Sequence, residues 1–422
     1  ALLQNTSGAD NVAIGEQAMD ANTSGSNNVG IGRNALSSNT TASNITGIGH
    51  QALLSNTTGS ANTAVGFNSL YNNTTGERNS AVGVSSLVNN TTGIYNTALG
   101  YNSLNMNTTA NNNTAVGYES LKTNTTGIRN TAVGTSALVA NTTAGESVAV
   151  GYQALTTNTT GAFNTALGAL SLKSNTTASF NTSIGYRSLD ANTTGASNTA
   201  VGLYSLLKNT TASNNIAVGN NALSENTTGS NNAAVGYESL QNNNTSNNTA
   251  LGYQSLKANT TGDHNAAVGT NSLDANTTGA ANSAVGSFSM SGNTSGSNNA
   301  AFGTSALANN TTAGNNSAFG RSALQANTTG GFCVAVGANA LDANTTANNN
   351  VAVGYNALTG NTTGTSNVGI GTAALANSTT ASDNTAVGHG ALESNTSGAE
   401  QVAVGSIALD NNTTGTVNTA LG

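Results

Sequence analysis

Asn113-Thr-Ala-Val-Gly-Tyr-Glu-Ser-Leu-Lys-Thr-Asn-Thr-Thr-Gly-Ile-Arg129 is one copy of a seventeen-residue unit, and the next copy begins at Asn130. The glycine after its apolar fourth residue, Gly117, is the ruler. Thirteen steps of seventeen carry it from Gly15 to Gly236, one step of sixteen reaches Gly252, and ten more of seventeen reach Gly422. The chain is therefore 25 copies with a single deletion, inside Gln241-Asn-Asn-Asn-Thr-Ser-Asn-Asn248. A fixed short period is the signature of a stacked-repeat architecture, in which each unit is one layer and cannot bury its apolar face alone. Residues 1–422 read as one continuous array. The shortened unit predicts a local kink or hinge, and the mid-unit ends predict a segment of a longer chain.

Composition fits. Hydrophobic residues make up 36% and charged residues 6% of 422, with no proline and no tryptophan. A disordered chain of such low hydrophobicity would carry proline or high net charge. Here the formal net charge is −7, and an apolar residue recurs at one phase of every unit. A single cysteine, Cys333, excludes an internal disulfide framework.

Numbered from its first asparagine, the unit reads N-T-A-V-G-Y-x-[AS]-L-x-x-N-T-T-[GA]-x-x. Seventeen residues are too few for a capped helical hairpin, and the period-two alternation of Thr114-Ala-Val116 predicts a short strand. The second and fourth positions, with Val116, are then expected to face the core. The third position is only Ala, Gly or Ser and the eighth only Ala or Ser. That restriction predicts covered faces, against either another chain or another wall of the coil; Ala115, Ala132, Ser120 and Ala137 are the candidate interface residues. Gly117 is expected at a corner with positive φ or close backbone approach. Leu121 continues a leucine column, and the stretch from Gly117 to Asn124 has room for one helical turn, but the Gly and Asn at its two ends favour a second short strand and a turn. Position fifteen, Gly or Ala, is expected to be limited by size. Stacked asparagines at positions one and twelve, among them Asn56, Asn107, Asn124 and Asn192, predict two hydrogen-bonded ladders. The fold expected is all-β, a parallel β-solenoid of about 25 coils. Coils stacked at seventeen residues also predict Lys173 over Asp190 and Lys257 over Asp274.

The runs Asn11-Val-Ala-Ile-Gly15, Ser147-Val-Ala-Val-Gly151 and Gln401-Val-Ala-Val-Gly405 resemble the head repeats of trimeric autotransporter adhesins of the YadA type, and the unit is also similar to repeats of phage tail-fibre and bacterial surface proteins. The resemblance covers the whole chain. It implies a left-handed β-roll, three chains packed as a rigid rod, and a place outside the cell on host, matrix or glycan surfaces. The unit departs from that family in its added Asn-Thr-Thr-Gly turn and in lacking a neck, stalk or anchor.

No catalytic constellation is legible. His50, His264 and His389 sit on distant coils, no paired carboxylates for acid–base chemistry are evident, and no phosphate loop or regular Asp-bearing calcium turn occurs. No cofactor or metal is expected. Nine basic residues over 25 coils form no nucleic-acid stripe, and no run predicts membrane insertion. The Asn-Thr-Thr turns match glycosylation acceptors at Asn124, Asn158 and Asn192, an alternative to their ladder role. Position six is a broken aromatic column, Phe67, Tyr101, Tyr118, Tyr152, Tyr186, Tyr237, Tyr253 and Tyr355, interrupted by Thr135, Ala169 and Arg321. The function expected is a non-enzymatic extracellular fibre or adhesin head or stalk that self-associates as a homotrimer or end to end. A virion tail-fibre shaft is the alternative and an ice-binding solenoid a further one.

Overall fold

A computed structural model describes residues 1–422. The chain divides into two compact units, Ala1–Ser213 and Asn214–Gly422. The first carries twelve three-residue strands, from β1 (Val12–Ile14) through β7 (Thr114–Val116) and β8 (Thr131–Val133) to β12 (Thr199–Val201). Each pairs in parallel with the next, one unit on in sequence: Thr114 opposite Thr131, Ala115 opposite Ala132, Val116 opposite Val133. The second unit carries thirteen, from β13 (Ile216–Val218) to β25 (Thr419–Leu421), in the same parallel sequence. Both are all-β parallel solenoids with one coil per repeat, and neighbouring strands of such a sheet lie ~4.8 Å apart.

Hydrogen bonds run along the stack in both directions from every part of a coil. Thr114 N donates to Asn130 O (2.8 Å) and Leu121 N to Ala137 O (2.9 Å), toward the following coil. Gly117 N donates to Leu99 O (2.7 Å) and Glu119 N to Tyr101 O (2.9 Å), toward the preceding one. The stretch after Gly117 is therefore not the expected second strand. It is a pair of turns, closed by Ser120 N to Gly117 O and Asn124 N to Leu121 O (both 3.4 Å), with Glu119 at φ 54° and Leu121 at φ 50°. Each non-glycine residue held in this left-handed region costs ~1–2 kcal/mol. A β-branched residue fares worst there, which explains why the ninth position takes Leu or Met and never Val or Ile. Gly117, at φ +127°, answers both expectations: a Cβ there would also lie 2.7 Å from the carbonyl of Gly134.

The interior differs from the expected one by a single-residue phase. Asn113, Ala115, Ser120, Leu121 and Asn124 are fully buried within one chain, whereas Thr114 and Val116 are not. Val116 thus faces outward, and Ala115, Ala132, Ser120 and Ala137 line the coil's own lumen rather than an interface. The reason is room. Where the third residue is Gly47, an added Cβ would stand 3.0 Å from Leu36 Cγ, so the ninth-position leucine of the preceding coil already fills the space that a larger third residue would need.

The shortened repeat keeps its strands in parallel register, with Ala233 of β14 (Ala233–Val235) opposite Thr249 of β15 (Thr249–Leu251). Asn244 makes this possible. Its side-chain carbonyl accepts from Thr227 N (2.9 Å), Thr227 Oγ1 (2.7 Å) and Thr228 N (3.1 Å). In an ordinary turn a threonine main-chain carbonyl does this, as Thr142 O does for Thr125 N (2.9 Å), Thr125 Oγ1 (3.0 Å) and Thr126 N (3.3 Å). A side-chain amide stands in for a missing peptide.

Candidate functional site

Two asparagine columns make the polar half of the lumen. Asn124 Nδ2 donates both its hydrogens, to Asn107 Oδ1 (3.1 Å) and Gly127 O (2.9 Å), while its Oδ1 accepts from Asn141 (2.8 Å). Asn56 donates to Asn39 and Asn192 to Asn175 in the same way. The other column alternates side chain and main chain: Asn113 Nδ2 donates to Gly127 O (2.9 Å) and Asn113 Oδ1 accepts from Asn130 N (2.9 Å). A buried amide left without such partners costs ~1–3 kcal/mol, so these residues are structural. The glycosylation alternative fails on the folded chain at Asn124, Asn158 and Asn192. All three are fully buried with both amide hydrogens donated.

Cys333 occupies a position-one site. Its Sγ lies 3.4 Å from Ala347 O and 3.5 Å from Gly331 O, the two carbonyls that can accept its single hydrogen, and burial pushes the thiol above its ordinary pKa. The histidines stay apart: His50 stacks on Phe67 at 5.4 Å and His264 Nδ1 lies 3.2 Å from Asp263. No three His, Cys, Asp or Glu side chains gather as a metal site. No helix of the chain is long and apolar enough to cross a membrane.

The two positions stack as expected, with Ser174 N donating to Asp190 O and Ala258 N to Asp274 O (both 3.0 Å), but the ion pairs close elsewhere. Asp190 pairs with Arg187 (2.7 Å), three residues before it in the same coil. Lys257 reaches Glu238 (2.7 Å), whose carboxyl is held low by that contact. Asp274 instead accepts from Asn271 (3.1 Å), and its pKa is raised by burial.

What the chain offers its surroundings lies on three outer tracks. The first is the outward face of the strands, with Thr, Ser, Ala, Val or Ile at position two and Val, Ile, Leu or Phe at position four. Leu99 is 47% exposed, Leu167 45% and Phe319 41%, and Phe302 stacks on Phe319 at 5.0 Å. The second is a shallow groove between positions eleven and thirteen, lined by Ser55, Asn72, Thr74, Asn89, Thr91 and Met106. Its threonine hydroxyls already donate to the next coil, Thr74 Oγ1 to Thr91 O at 3.1 Å. The third is the position-six column, where Tyr101 and Tyr118 stack at 5.4 Å and Tyr237 and Tyr253 at 5.3 Å. Sequence reasoning named the tyrosines but placed the apolar fourth column inside. Only the size of the third residue, read against the leucine column, could have reversed that. No protein-family model matches the chain, and no curated protein matches it.

Proposed function

We propose that this chain is a non-enzymatic structural fibre segment of an extracellular or cell-surface adhesin, which self-associates side by side through the outward face of its strands. The left-handed three-chain bundle is the form implied by the resemblance of its repeat. The observation that carries the reading is the uncovered fourth column, with Leu99, Leu167 and Phe319 each about half exposed. Parallel sheets are almost always covered on both faces, and a continuous apolar surface marks an association site. A second copy brings the same column at the same repeat, so the stripe is complementary to itself.

Sedimentation equilibrium tests this. The 41.4 kDa chain is expected to sediment as a trimer. Leu99→Glu/Val116→Glu/Leu167→Glu is expected to sediment as a folded monomer, because a carboxylate cannot be desolvated on that face without a partner. A wild-type chain that stays monomeric at every concentration refutes the proposal.

A further inference from the structure

We propose that the position-six column holds a slot for one pyranose ring, bounded along the axis by Tyr118 and Tyr152 and floored by Thr135. Tyr101 and Tyr118 show how rings sit in this column: one per coil, centroids 5.4 Å apart, planes within 10° of each other. The rings therefore lie face to face along the stack. The column breaks at Thr135 and resumes at Tyr152, leaving one rung without a ring between two that have one. Two coils of a parallel sheet span about 10 Å. A single guest ring between them would sit about 5 Å from each tyrosine, inside the ~4.5–7 Å range over which ring faces pack. The rings are open to solvent, Tyr118 at 50% and Tyr152 at 53% exposure.

The chemistry of the guest follows from the two aromatic faces. Tyr118 presents π-density along the axis, as its stacking on Tyr101 shows, and a Tyr152 ring seated in the column in the same way closes the slot from the other side, so the guest needs polarised C–H bonds on both of its own faces. A pyranose with every hydroxyl equatorial has this property: axial hydrogens point up and down, and hydroxyls radiate from the rim. An axial hydroxyl would be driven against a tyrosine face and lose its water without gaining an acceptor. At the rim the slot is flanked by polar residues, Gln153, Ser136 and the Glu119–Lys122 ion pair at 2.8 Å. With the ring plane across the axis, equatorial linkages leave sideways, so neither tyrosine blocks a longer glycan. Val84, between Phe67 and Tyr101 and three coils before Thr135, occupies the corresponding gap with a larger apolar side chain. Ala169 leaves another gap between Tyr152 and Tyr186, where Tyr186 also meets Tyr204 of the next coil edge-on, at 67°, so both gaps are closed together in the test below. The site belongs to one chain and does not depend on self-association.

Saturation-transfer NMR on the intact chain tests the slot, with methyl β-D-glucopyranoside as probe and methyl β-D-galactopyranoside, which has one axial hydroxyl, as comparator. The glucoside is expected to receive saturation on protons of both ring faces with millimolar affinity, and the galactoside several-fold less. Thr135→Tyr/Ala169→Tyr, which continues the existing tyrosine ladder through both gaps, is expected to abolish transfer while circular dichroism and melting stay as in the wild type. Tyr152→Ala, which removes one wall of the slot and leaves the lumen untouched, is expected to weaken transfer to the level of the galactoside. Equal transfer to both sugars, undiminished transfer in either variant, or none to the wild type at tens of millimolar overturns the proposal.

Discussion

Asn361 Oδ1 faces Ser378 across one rung of the inner ladder, and neither Asn361 Oδ1 nor Ser378 Oγ has a hydrogen-bond partner. The preceding rungs are closed, Asn344 donating to Asn327 (2.8 Å) and Asn361 to Asn344 (3.2 Å). Serine is one heavy atom too short to span the gap. Ser378→Asn is therefore expected to stabilise the fold by ~1–3 kcal/mol, the cost of a buried polar group without a partner. Chemical denaturation checks it; a lower midpoint would show that the asparagine does not fit.

The fifteenth column carries a second rule of the same kind. Its residues do not have positive φ, yet a Cβ on its glycines from Gly8 to Gly398 would press on the carbonyl of the next coil, as Gly161 would on Ala178 and Gly76 on Gly93. Alanine nonetheless occurs there, at Ala42, Ala110, Ala144, Ala178, Ala212, Ala313, Ala347 and Ala381, and never in two successive coils. One methyl is absorbed if the neighbours on both sides have none. Gly161→Ala, which would make three in a row with Ala144 and Ala178, is expected to lower the melting temperature more than Gly76→Ala, which stands between Gly59 and Gly93. Equal losses would remove the neighbour effect.

Burial raises the pKa of Asp274, and its Oδ1 has no hydrogen-bond partner. A carboxyl whose folded pKa lies above its unfolded value binds protons more tightly when folded. Stability from this group is thus fully present below the unfolded value, near 3.8, and falls as pH rises toward the folded pKa. Asp274→Asn is expected to melt higher than the wild type at neutral pH, with the difference closing as pH is lowered below the unfolded value. A difference independent of pH would assign the effect to packing.

At the shortened repeat, Asn244→Ala removes the carbonyl that serves Thr227 and Thr228. The site is exposed, so water takes over part of the bonding, and the expected loss is ~1 kcal/mol. Asn244→Asp keeps the acceptor and is expected to be nearly neutral. Amide hydrogen exchange at Thr227 and Thr228 reads the local effect: it should rise in the alanine variant only.

Much of this coil can be read from one repeat. Period, strand, parallel stacking, the Gly117 corner, the leucine column and both asparagine ladders follow from residue types at fixed phases. The facing of the strand does not. Thr114-Ala-Val116 alternates identically whichever side is inside, and hydrophobicity alone assigns Val116 to the core. The deciding quantity is the width of the lumen, set by Leu121 and its equivalents from the opposite wall, and width is not a property of any single position. The second strand expected after Gly117 failed for a related reason. Leucine in a left-handed conformation is rare enough that no propensity predicts it, and it is sustained only because Leu121 N finds Ala137 O in the next coil. The outer tracks were the least legible, because positions two, four and six are constrained only by what they meet outside the coil.

The hydrogen bonds of a coil go mainly to its two neighbours; within the Asn113–Arg129 repeat, only the turn closures at Ser120 and Asn124 join main-chain groups of the same coil. A lone coil would have to hold three left-handed residues with almost nothing to secure them. Folding must therefore begin with a rare cluster of several coils and then advance by templated addition, each new repeat copying the register of the last. Contacts stay about one repeat apart in sequence however long the array grows, so lengthening adds thermodynamic stability without lengthening the search. In such a chain the number of repeats can change by duplication or loss, and the number of stacked coils with it, without redesign of a single residue.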